Sequence, residues 1–495
     1  MRSAHEICAH SLIEDRVPAA GRYEPVRNPA DRGQVVGHVA LAEPDVVDLA
    51  VAAALRAAPG WGRRTANERA DFLRTAAKLL EADDDARARL LTREHGKVIW
   101  ESRLDIAGAA TILRYYAEFA DRLDAEVDHV NKLGTARIRR RPVGVTAVVV
   151  PWNYPVYLAF LMLVPALLAG NPVVVKPSEV VPLALTDVLT TLAEALPPGV
   201  VTVVQGEGAT VGARLTAHPD VRAVLFTGST ATGRSIIAGS AGTVKRLGLE
   251  LGGNDPAIVL DTAVVDDTMA HELVRGVYTS SGQVCYNVKR IYVHQDRYDE
   301  LVEAFTAAAG QLVVGDGLSP DSHIGPVTTP AQRRKVQSLV TAARADGASV
   351  VEAGKVATGT CWDRGLFVRP TIVTGVSPDA RLVQEEQFGP AVPILPFATD
   401  DEAVRMANDT EYGLAASVWS ADADHADAVA RRIEAGSVFV NAHRLGCSDL
   451  AMPFGGVKQS GLGRRHGYEA VEECTDLQTI AHITSPAALP GPART

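Results

Sequence analysis

Residues 143–176 read VGVTAVVVPWNYPVYLAFLMLVPALLAGNPVVVK and contain no charged side chain before Lys176. A membrane span needs about 20 apolar residues, so the length of the segment alone is compatible with one. The segment is interrupted, however, by the prolines Pro151, Pro155, Pro165 and Pro172. Its ends are rich in valine, whereas residues 155–169 are helix-like and only about 22 Å long at 1.5 Å per residue. The segment therefore predicts a buried strand, helix and strand rather than a membrane span.

The alternation of short apolar runs with helical stretches continues along most of the chain. Residues 143–260 contain the runs VTAVVV, VVVK, VVTVV, AVLFTG and PAIVL. A second series, RIYVH, PTIV, AVPILPF, ASVW and SVFV, lies within residues 265–453. Residues 44–122 are rich in Ala, Leu, Arg and Glu and predict helices, one of which ends at Gly96. Apolar runs of this kind are typical of parallel sheets covered on both faces, so the sequence predicts an α/β fold.

Composition excludes several classes of protein. The 495 residues suggest two to four domains at roughly 100–200 residues each. Lys and Arg number 49 against 59 Asp and Glu, a net charge of −10, so nucleic-acid binding is not expected. The 5 cysteines lack metal-type or redox-type spacing, so neither a metal site nor a disulfide framework is expected. The N-terminal MRSAHEICAHSLIEDR lacks the apolar core of a signal peptide, which predicts a cytoplasmic location.

Two loops that follow predicted strands are candidates for nucleotide binding. The run AVLFTG leads into a glycine turn at residues 228–233, where backbone N–H groups and a helix dipole would favour a phosphate. This turn matches neither GxGxxG nor a P-loop, so a purely structural turn stays open. Lys176 and Glu179 lie where another strand ends, and could hold ribose hydroxyls there. The alternative is a solvated charge pair.

Three residues stand out as candidates for chemistry. Glu250 lies in the apolar run LELGG, where a carboxylate is either paired or tuned, and a raised pKa would suit a general base. Cys285 lies in the small polar loop SSGQVCYN, a context that permits both access and thiolate stabilisation. No histidine is near it in sequence, so Glu250 is the candidate base. Asn153, between two prolines, either directs its amide at an oxyanion or simply forms a turn.

Together and in this order, these segments resemble the aldehyde dehydrogenase superfamily, in its nonphosphorylating NAD(P)-dependent branch. The matching motifs are PWNYP, KPSE, FTGSTATG, LELGGN, GQVC, EEQFGP and PFGGVKQSGLGR, which run from Pro151 to Arg464. The helical N-terminal part and the basic segment before Pro142 fit as well, so the resemblance covers essentially the whole chain. It implies a Rossmann-type cofactor domain, an α/β catalytic domain and a small β oligomerisation arm.

The resemblance also implies how these parts divide the chain. The expected parts are the NAD-binding domain at 1–121 and 142–252, the catalytic domain at 253–453, and the oligomerisation arm and C-terminal tail at 122–141 and 454–495. The arm would combine a hairpin with a strand near residues 478–483. Its open strand edges would pair with another subunit, giving a homodimer or a homotetramer.

For catalysis, the resemblance implies that Cys285 attacks the aldehyde carbonyl to give a thiohemiacetal. The Asn153 side chain and the Cys285 N–H would form the oxyanion hole. After hydride transfer to the nicotinamide, Glu250 would activate the water that hydrolyses the thioester. Covalent catalysis suits this reaction because the tetrahedral adduct is a far better hydride donor than a free aldehyde. Glu179 on the ribose hydroxyls would repel a 2′-phosphate, so NAD is favoured, although some members with this glutamate also accept NADP.

The resemblance assigns further contacts. The residues implied to contact the cofactor are Trp152, Lys176, Ser178, Glu179, Gly208, Gly212, Phe226, Gly228, Ser229, Thr232, Leu251, Glu386 and Phe388. The residues implied to contact the substrate are Tyr157, Leu158, Leu161, Met162, Tyr286 and Phe454. The second set is mostly apolar or aromatic, which favours an aliphatic or aromatic aldehyde. No metal is implied.

Two departures from the family pattern occur together. Many relatives have Trp-Lys where this chain has Leu161 and Met162, and Gly-Arg-Glu where it has Gly463-Arg464-Arg465. In those relatives the lysine and the glutamate can pair near the path by which a proton leaves. Two hypotheses follow here: the proton exit is rewired, or Arg465 lends positive charge to the substrate entrance. The alternative is that Arg465 faces solvent, as most arginines do.

Two other functions are compatible with the same residues. A CoA-acylating aldehyde dehydrogenase would transfer the thioester to CoA, but such relatives often lack a glutamate at the position of Glu250. A non-redox thiol hydrolase, or a structural protein on this scaffold, would not need NAD. The presence of Cys285, Glu250 and Asn153 together favours oxidation followed by hydrolysis.

Overall fold

The computed structural model describes residues 7–484. The segment quoted above forms the strand Thr146–Val149, the helix Pro155–Leu168 and the strand Val173–Lys176. The two strands are parallel neighbours along their whole length. The predicted strand, helix and strand are therefore confirmed. Among the described residues, no helix is both long and apolar enough to cross a membrane.

The first large sheet has six strands and contains this unit at its centre. In spatial order its strands are Gly461–Leu462, Arg246–Glu250, Ala223–Thr227, Thr146–Val149, Val173–Lys176 and Val201–Val203. Neighbouring strands are parallel except at the edge, where Gly461–Leu462 runs antiparallel to Arg246–Glu250. The carboxyl ends of parallel strands meet at one edge of a sheet, so Lys176, Thr227 and Glu250 share that edge.

The second large sheet has seven strands. In spatial order they are Ser349–Glu352, Thr371–Thr374, Ala391–Phe397, Val288–His294, Asp255–Val259, Ala415–Trp419 and Ser437–Val440. The edge strand Ser349–Glu352 is antiparallel to its neighbour, and the other neighbours in this sheet are parallel. The predicted α/β architecture is confirmed. Its division into domains at residue 252 stays a prediction.

Three smaller sheets lie in the described part of the chain. Their strands are Cys8–Ala9, Val35–Leu41 and Arg22–Arg27 in the first, Val313–Val314 and Lys355–Val356 in the second, and Thr475–Ile483, Gly134–Pro142 and Val127–Asn131 in the third. The third contains the hairpin and the C-terminal strand that the sequence predicts. Its role as an oligomerisation arm stays a prediction. Residues 1–6 and the predicted tail at 485–495 lie outside the described residues.

Helices enclose the sheets. The α-helices are Val46–Gly62, Ala66–Leu80, Asp84–His95, Ile99–Ala117, Ala120–Asp124, Pro155–Leu168, Leu183–Glu194, Ala213–Ala217, Thr230–Ser240, Asp267–Tyr278, Tyr298–Gly310, Pro330–Ala345, Arg381–Gln384, Asp400–Asn408, Ala423–Ala430 and Glu469–Glu472. Shorter 3-10 or π turns are Glu81–Asp83, Gly208–Gly212, Thr279–Gly282, Gln295–Arg297 and Lys458–Ser460. Gly96 ends Asp84–His95 with a φ of +97°, as predicted, because glycine adopts the left-handed conformation without strain.

The first sheet is buried on both faces, which explains its valine-rich strands. On one face Val148, Val173 and Val175 pack into a core that includes Pro155–Leu168 and Ile99–Ala117. On the other face Ala147, Val149 and Val174 pack into a separate core with Val46–Gly62. The helix Pro155–Leu168 lies between the sheet and Ile99–Ala117, so it is buried within the protein.

Candidate active site

Two cavities meet at the carboxyl edge of the first sheet. The apolar cavity has a volume of about 210 Å³ and is lined by Glu250 and by residues of the helix Pro155–Leu168. The polar cleft is lined by the glycine turn at Gly228 and by Glu386 among others. Asn153, Thr227 and Cys285 line both cavities. A group bound in either cavity would therefore meet the Cys285 thiol.

Cys285 is held on a loop with an unusual backbone. The turn Thr279–Gly282 precedes it, and its last three residues have φ values of +53°, +56° and +76°. Residues other than glycine rarely adopt this conformation, and such strain collects at functional sites. The turn is stabilised in part by the Ser280 N–H, which donates to Oε1 of buried Glu101 at 2.7 Å. Gly282 approaches the backbone of Gly389 so closely that a Cβ would clash.

The electrostatic environment of Cys285 differs from the sequence expectation. Burial raises the pKa of the Cys285 thiol to about 12, and the nearby Lys289 ammonium only partly opposes this shift. Asp255, Glu250 and other carboxylates raise the pKa further. The expectation that this loop stabilises a thiolate is therefore wrong for the thiol on its own. At neutral pH the thiol needs a proton acceptor before it can attack a carbonyl.

Glu250 is such an acceptor by its position and its pKa. It ends the strand Arg246–Glu250 and is 7% exposed. Burial raises the pKa of Glu250 to about 8, although the guanidinium groups of Arg465 and Arg464 lower it. Within the described residues, no group donates a hydrogen bond to its Oε1 atom. A carboxyl group in this state exchanges protons near neutral pH, as a general base requires.

Asn153 is fixed by a buried network that the sequence does not indicate. Its side-chain N–H donates to the Gln283 carbonyl at 3.0 Å, so the amide faces the cysteine loop. The backbone carbonyl of Asn153 accepts a hydrogen bond from Lys97 Nζ at 2.5 Å. Lys97 also donates to Asp105 at 3.0 Å and lies 3.6 Å from the centre of the Tyr154 ring. The network holds the Asn153 backbone rigidly at the junction of the two cavities.

Lys176 and Glu179 form an ion pair at the end of the strand Val173–Lys176. Lys176 Nζ donates to Glu179 Oε2 at 2.8 Å, and the Gly208 N–H donates to Glu179 Oε1 at 3.2 Å. Burial opposes ionisation of Glu179, but Lys176 and these hydrogen bonds hold its pKa below the usual value. The carboxylate is thus charged at neutral pH. Ser178 behaves differently, since its hydroxyl accepts from the Val180 N–H within the same loop.

The glycine turn opens a helix, as a phosphate site requires. Ser229 is the N-cap of Thr230–Ser240, and its hydroxyl accepts from the Thr232 N–H at 3.2 Å. Gly228, Ser229 and Leu251 line the polar cleft. The exposed helix N-terminus there favours an anion.

Two residues from the predicted cofactor set lie deeper than expected. Phe226 belongs to the core beneath the turn, and its ring fills the space where a Cβ on Gly228 would lie. Gly212 is buried and packs against the aliphatic part of Lys176. These positions support the cofactor cleft from behind rather than lining it.

The opposite end of the polar cleft is aromatic. The rings of Trp152 and Phe388 meet edge to face with centroids 5.5 Å apart. Phe388 has a φ of +51°, a strained conformation for a bulky residue. Glu386 Oε1 accepts from the Gly253 N–H at 3.1 Å. A Cβ on Gly252 would fall 3.0 Å from Glu386 Oε2, so the glycine leaves space beside that oxygen.

The structure brings the six predicted substrate residues to one cavity. Its lining includes Tyr157, Leu158, Leu161, Met162, Tyr286 and Phe454. The rings of Tyr286 and Phe454 meet edge to face with centroids 5.5 Å apart. Leu104, Val284 and Leu445, which the sequence did not single out, add to the apolar wall.

Arg465 does not face solvent. It is 4% exposed and lines the apolar cavity together with Glu250. Its Nη1 atom donates to Glu473 Oε2 at 3.0 Å. Backbone hydrogen bonds in both directions join Arg465 to Phe454. The alternative that Arg465 faces solvent is therefore wrong, because the C-terminal segment folds back against the strand that carries Glu250.

Comparison with known proteins decides the family. The model of the aldehyde dehydrogenase family matches residues 17–480. The chain belongs to the aldehyde dehydrogenase family. It is 39% identical over 447 residues to geranial dehydrogenase from Castellaniella defragrans, a match that covers 89% of this chain and 92% of that protein.

Solved aldehyde dehydrogenase structures share its fold. A Burkholderia cenocepacia protein assigned as an aldehyde dehydrogenase is 38% identical with a TM-score of 0.91, covering 96% of this chain and 97% of that one. Betaine aldehyde dehydrogenase from Staphylococcus aureus, in complex with NAD+, is 32% identical with a TM-score of 0.92, covering 99% and 97%. This aldehyde dehydrogenase is accordingly an oxidoreductase that acts on aldehydes with a nicotinamide cofactor.

The polar cleft of this aldehyde dehydrogenase fits NAD. The helix N-terminus at Ser229 suits a pyrophosphate, and Lys176 and Glu179 suit ribose hydroxyls. Glu386 uses one oxygen on the Gly253 N–H and has open space beside the other. Lys176 and the turn at Ser229 belong to the first sheet, whereas Glu386 lies just before the strand Ala391–Phe397 of the second sheet.

The residues that the sequence did not reveal mostly hold others in place. They are Lys97, Asp105, Glu101, Gln283, Lys289 and Glu473. Lys97 directly follows the predicted helix end at Gly96, and a lysine between that glycine and an apolar run was the one available signal. Asp105, Glu101 and Glu473 lie in ordinary helical or loop sequence, where a charged residue predicts only a surface, and Lys289 lies in the strand Val288–His294. Gln283 lies within the GQVC motif but carries no charge.

Proposed function

We propose that this enzyme oxidises an apolar aldehyde to a carboxylic acid with NAD, through a thioester on Cys285. One observation carries the proposal: Cys285 and Asn153 lie where the apolar cavity and the NAD-binding cleft meet, and Glu250 lines the first cavity beside them. An aldehyde in the apolar cavity would present its carbonyl to the thiol. The nicotinamide would approach the same carbon from the polar side.

The first step is addition of the Cys285 sulfur to the aldehyde carbon. The thiol proton goes to Glu250, since the thiol is neutral and Glu250 exchanges protons near pH 8. The oxygen of the tetrahedral adduct would accept hydrogen bonds from the Asn153 amide and the Cys285 N–H. The Asn153 amide already faces the cysteine loop, where it donates to the Gln283 carbonyl.

NAD, when bound, accepts the hydride that converts this adduct to a thioester. Glu250 then accepts a proton from water as the water oxygen bonds to the thioester carbon. The carbon–sulfur bond breaks, the acid is released, and the Cys285 thiolate is left to take up a proton. Two roles for one carboxyl group require that it return its proton between the steps, and a pKa near neutrality favours this exchange.

The lining of the apolar cavity supports an uncharged aliphatic or aromatic aldehyde. The one carboxylate besides Glu250 among its described lining residues is Asp105, which is paired with Lys97. A cation such as betaine aldehyde would find no open negative charge there other than that of Glu250. Geranial dehydrogenase, which is 39% identical, supports a branched unsaturated aldehyde as one member of the substrate class.

The preference for NAD over NADP is part of the proposal. The charged Glu179 carboxylate lies at the adenosine end of the cleft, where it would accept hydrogen bonds from ribose hydroxyls and repel a 2′-phosphate. Glu207 and Glu24 line the neighbouring outer cavity together with Arg22, which forms ion pairs with both, so the three side chains carry a net charge of −1. Glu386, Phe388 and Trp152 would hold the nicotinamide end.

The assembly and location are proposals as well. The sheet formed by Val127–Asn131, Gly134–Pro142 and Thr475–Ile483 exposes apolar side chains, with Val130 at 81% and Leu477 at 65%. This exposure supports pairing of the sheet with another subunit in a homodimer or homotetramer. The unpaired thiols of Cys285, Cys447 and Cys474 support a reducing cytoplasmic location.

The decisive experiment measures NADH formation from a panel of aldehydes by the wild-type enzyme and two cysteine variants. The panel contains geranial, octanal, benzaldehyde, betaine aldehyde and succinic semialdehyde. C285A is expected to lose oxidation of every aldehyde, whereas C361A, which changes an exposed cysteine away from both cavities, keeps it. Retained oxidation in C285A, or a preference for the charged aldehydes, would contradict the proposal.

The same assay separates the alternative functions. Adding CoA should not accelerate NADH formation, because water rather than CoA takes the acyl group. Strong CoA dependence would identify an acylating enzyme. Ester hydrolysis without any NAD binding would instead identify a thiol hydrolase.

A further inference from the structure

Arg465 occupies a place that only a glycine on the neighbouring strand allows. A Cβ built on Gly248 would fall 2.0 Å from Arg465 Nη2, so the guanidinium packs directly against the strand backbone. Gly248 and Glu250 lie on the same face of the strand Arg246–Glu250, because side chains alternate. Arg465 and Glu250 also line the same cavity. The guanidinium is therefore buried on the face of the sheet from which Glu250 projects.

This guanidinium uses only part of its hydrogen-bonding capacity. Nη1 donates to Glu473 Oε2 at 3.0 Å and to the Arg464 carbonyl at 3.2 Å. For Nε and Nη2 the described residues offer no acceptor, and for Glu250 Oε1 they offer no donor. The two buried nitrogens of Arg465 without acceptors cost free energy, and a structural ion pair with Glu473 alone does not offset that cost. The Arg465 nitrogens without an acceptor and the Glu250 oxygen without a donor instead belong to residues that line the same cavity.

Few other charges face Glu250. The charged groups that act on Glu250 are Arg465, Arg464 and Glu473, and Cys285 interacts with it. Asp105, Tyr154, Tyr157 and Tyr286 also line the cavity, and Asp105 is paired with Lys97. The helix Pro155–Leu168 presents Met162 to the cavity and no charge. His466 lies in the same cavity but is neutral, because burial lowers its pKa to about 4. Of the charged groups that lower the pKa of Glu250 against the effect of burial, Arg465 has the largest effect.

We propose that Arg465 is a positioning residue that increases the share of Glu250 in the carboxylate form, which accepts a proton from the hydrolytic water. The Glu473 carboxylate partly neutralises the Arg465 guanidinium and so limits how strongly that cation stabilises the Glu250 carboxylate. This inference rests on the proposed role of Glu250 as the base. A protonated Glu250 can accept a proton neither from the thiol nor from the hydrolytic water, and hydrolysis is the step that decay of the acyl-enzyme reports.

The sign of the effect follows from charge. Removing the Arg465 cation raises the pKa of Glu250, so the basic form appears only at higher pH. Removing the Glu473 anion leaves the Arg465 charge uncompensated and lowers the pKa of Glu250. The two substitutions therefore move the pH dependence of hydrolysis in opposite directions, which loss of a structural contact would not do.

The test follows decay of the acyl-enzyme by rapid quench and intact mass spectrometry between about pH 6 and pH 10. In R465M the rise in rate is expected to shift by about one pH unit to higher pH, a loss of about tenfold at pH 7. In E473Q it is expected to shift by about half a pH unit to lower pH. R465K, which keeps the charge, should restore most of the wild-type profile.

Three outcomes separate the inference from the function on which it rests. If E250Q hydrolyses the thioester with the wild-type pH profile, the proposed function itself fails. If E250Q is inactive but R465M and E473Q keep the wild-type profile, only the role of Arg465 is overturned. If R465M does not fold, E473Q alone decides: a shift to lower pH supports the inference, and no shift or a shift to higher pH overturns it.

Discussion

Two ion pairs flank the site, and they are built differently. Lys97 and Asp105, at 3.0 Å, are both 0% exposed. The other donor and acceptor atoms of this pair are used: Lys97 also donates to the Asn153 carbonyl, and Asp105 accepts from the Tyr157 N–H at 2.7 Å. Such a pair holds backbone in place and offers nothing to a ligand.

The pair of Arg465 and Glu473 is also separated by 3.0 Å, but it is open. Glu473 is 29% exposed in its side chain, and two nitrogens of Arg465 lack an acceptor among the described residues. A closed pair has mainly structural value, whereas an open pair beside a reactive carboxyl group can influence it electrostatically. Changes to the closed pair should therefore affect mainly the free energy of unfolding, and changes to the open pair should affect mainly the rate of thioester hydrolysis.

The largest loss of stability is expected for K97M. It leaves the Asp105 carboxylate buried without its cation, which costs about 3–5 kcal/mol in the free energy of unfolding. Oxidation should fall too, because the Asn153 carbonyl loses its donor. Urea unfolding followed by circular dichroism measures the first effect, and NADH formation the second.

The control for K97M is an exposed pair of similar geometry. Arg431 and Asp427 are separated by 2.7 Å but are 76% and 57% exposed, so R431M should cost less than about 1 kcal/mol. The double variant K97M/D105L should recover much of the lost stability, since no charge is then left buried. Equal losses in K97M and R431M would mean that burial does not distinguish these pairs.

The same contrast explains how much of the site the sequence reveals. Cys285, Glu250 and Asn153 lie in contiguous motifs with apolar or glycine-rich neighbours, so the residue pattern itself marks them. The strand–helix–strand order around them also follows from valine runs and prolines. Chemistry that depends on local sequence is thus predictable, together with the sheet edge that presents it.

What the sequence does not reveal depends on contacts between distant segments. The burial of Arg465 requires Gly248 on another strand, and nothing near either residue in sequence indicates that contact. The raised pKa of Cys285 likewise follows from burial, which a small polar loop does not predict. Polar residues that become buried only through tertiary packing read as surface residues in a sequence.

R465M is expected to lose little stability. The methionine fills similar space and removes two buried donors without acceptors, so the free energy of unfolding should fall by less than about 1 kcal/mol. The same variant is expected to hydrolyse the thioester about tenfold more slowly at pH 7. Measuring both quantities on one preparation checks the contrast with K97M. A loss of about 3 kcal/mol or more would make this pair structural, like the closed one.

A small loss of stability is expected at a third pair, Lys176 and Glu179, at the proposed adenosine end of the NAD site. Lys176 is 2% exposed, but in E179Q its Nζ keeps the side-chain amide and the Pro177 carbonyl at 2.9 Å as acceptors, so the free energy of unfolding should fall by less than about 1 kcal/mol. E179Q should act mainly on the choice of cofactor: kcat/KM for NADP should rise by about tenfold, because the charge that repels a 2′-phosphate is gone. The matched control is E24Q, which removes a negative charge from the adjoining cavity without touching Lys176. If both variants raise NADP use equally, the general field of the cavity rather than Glu179 selects the cofactor.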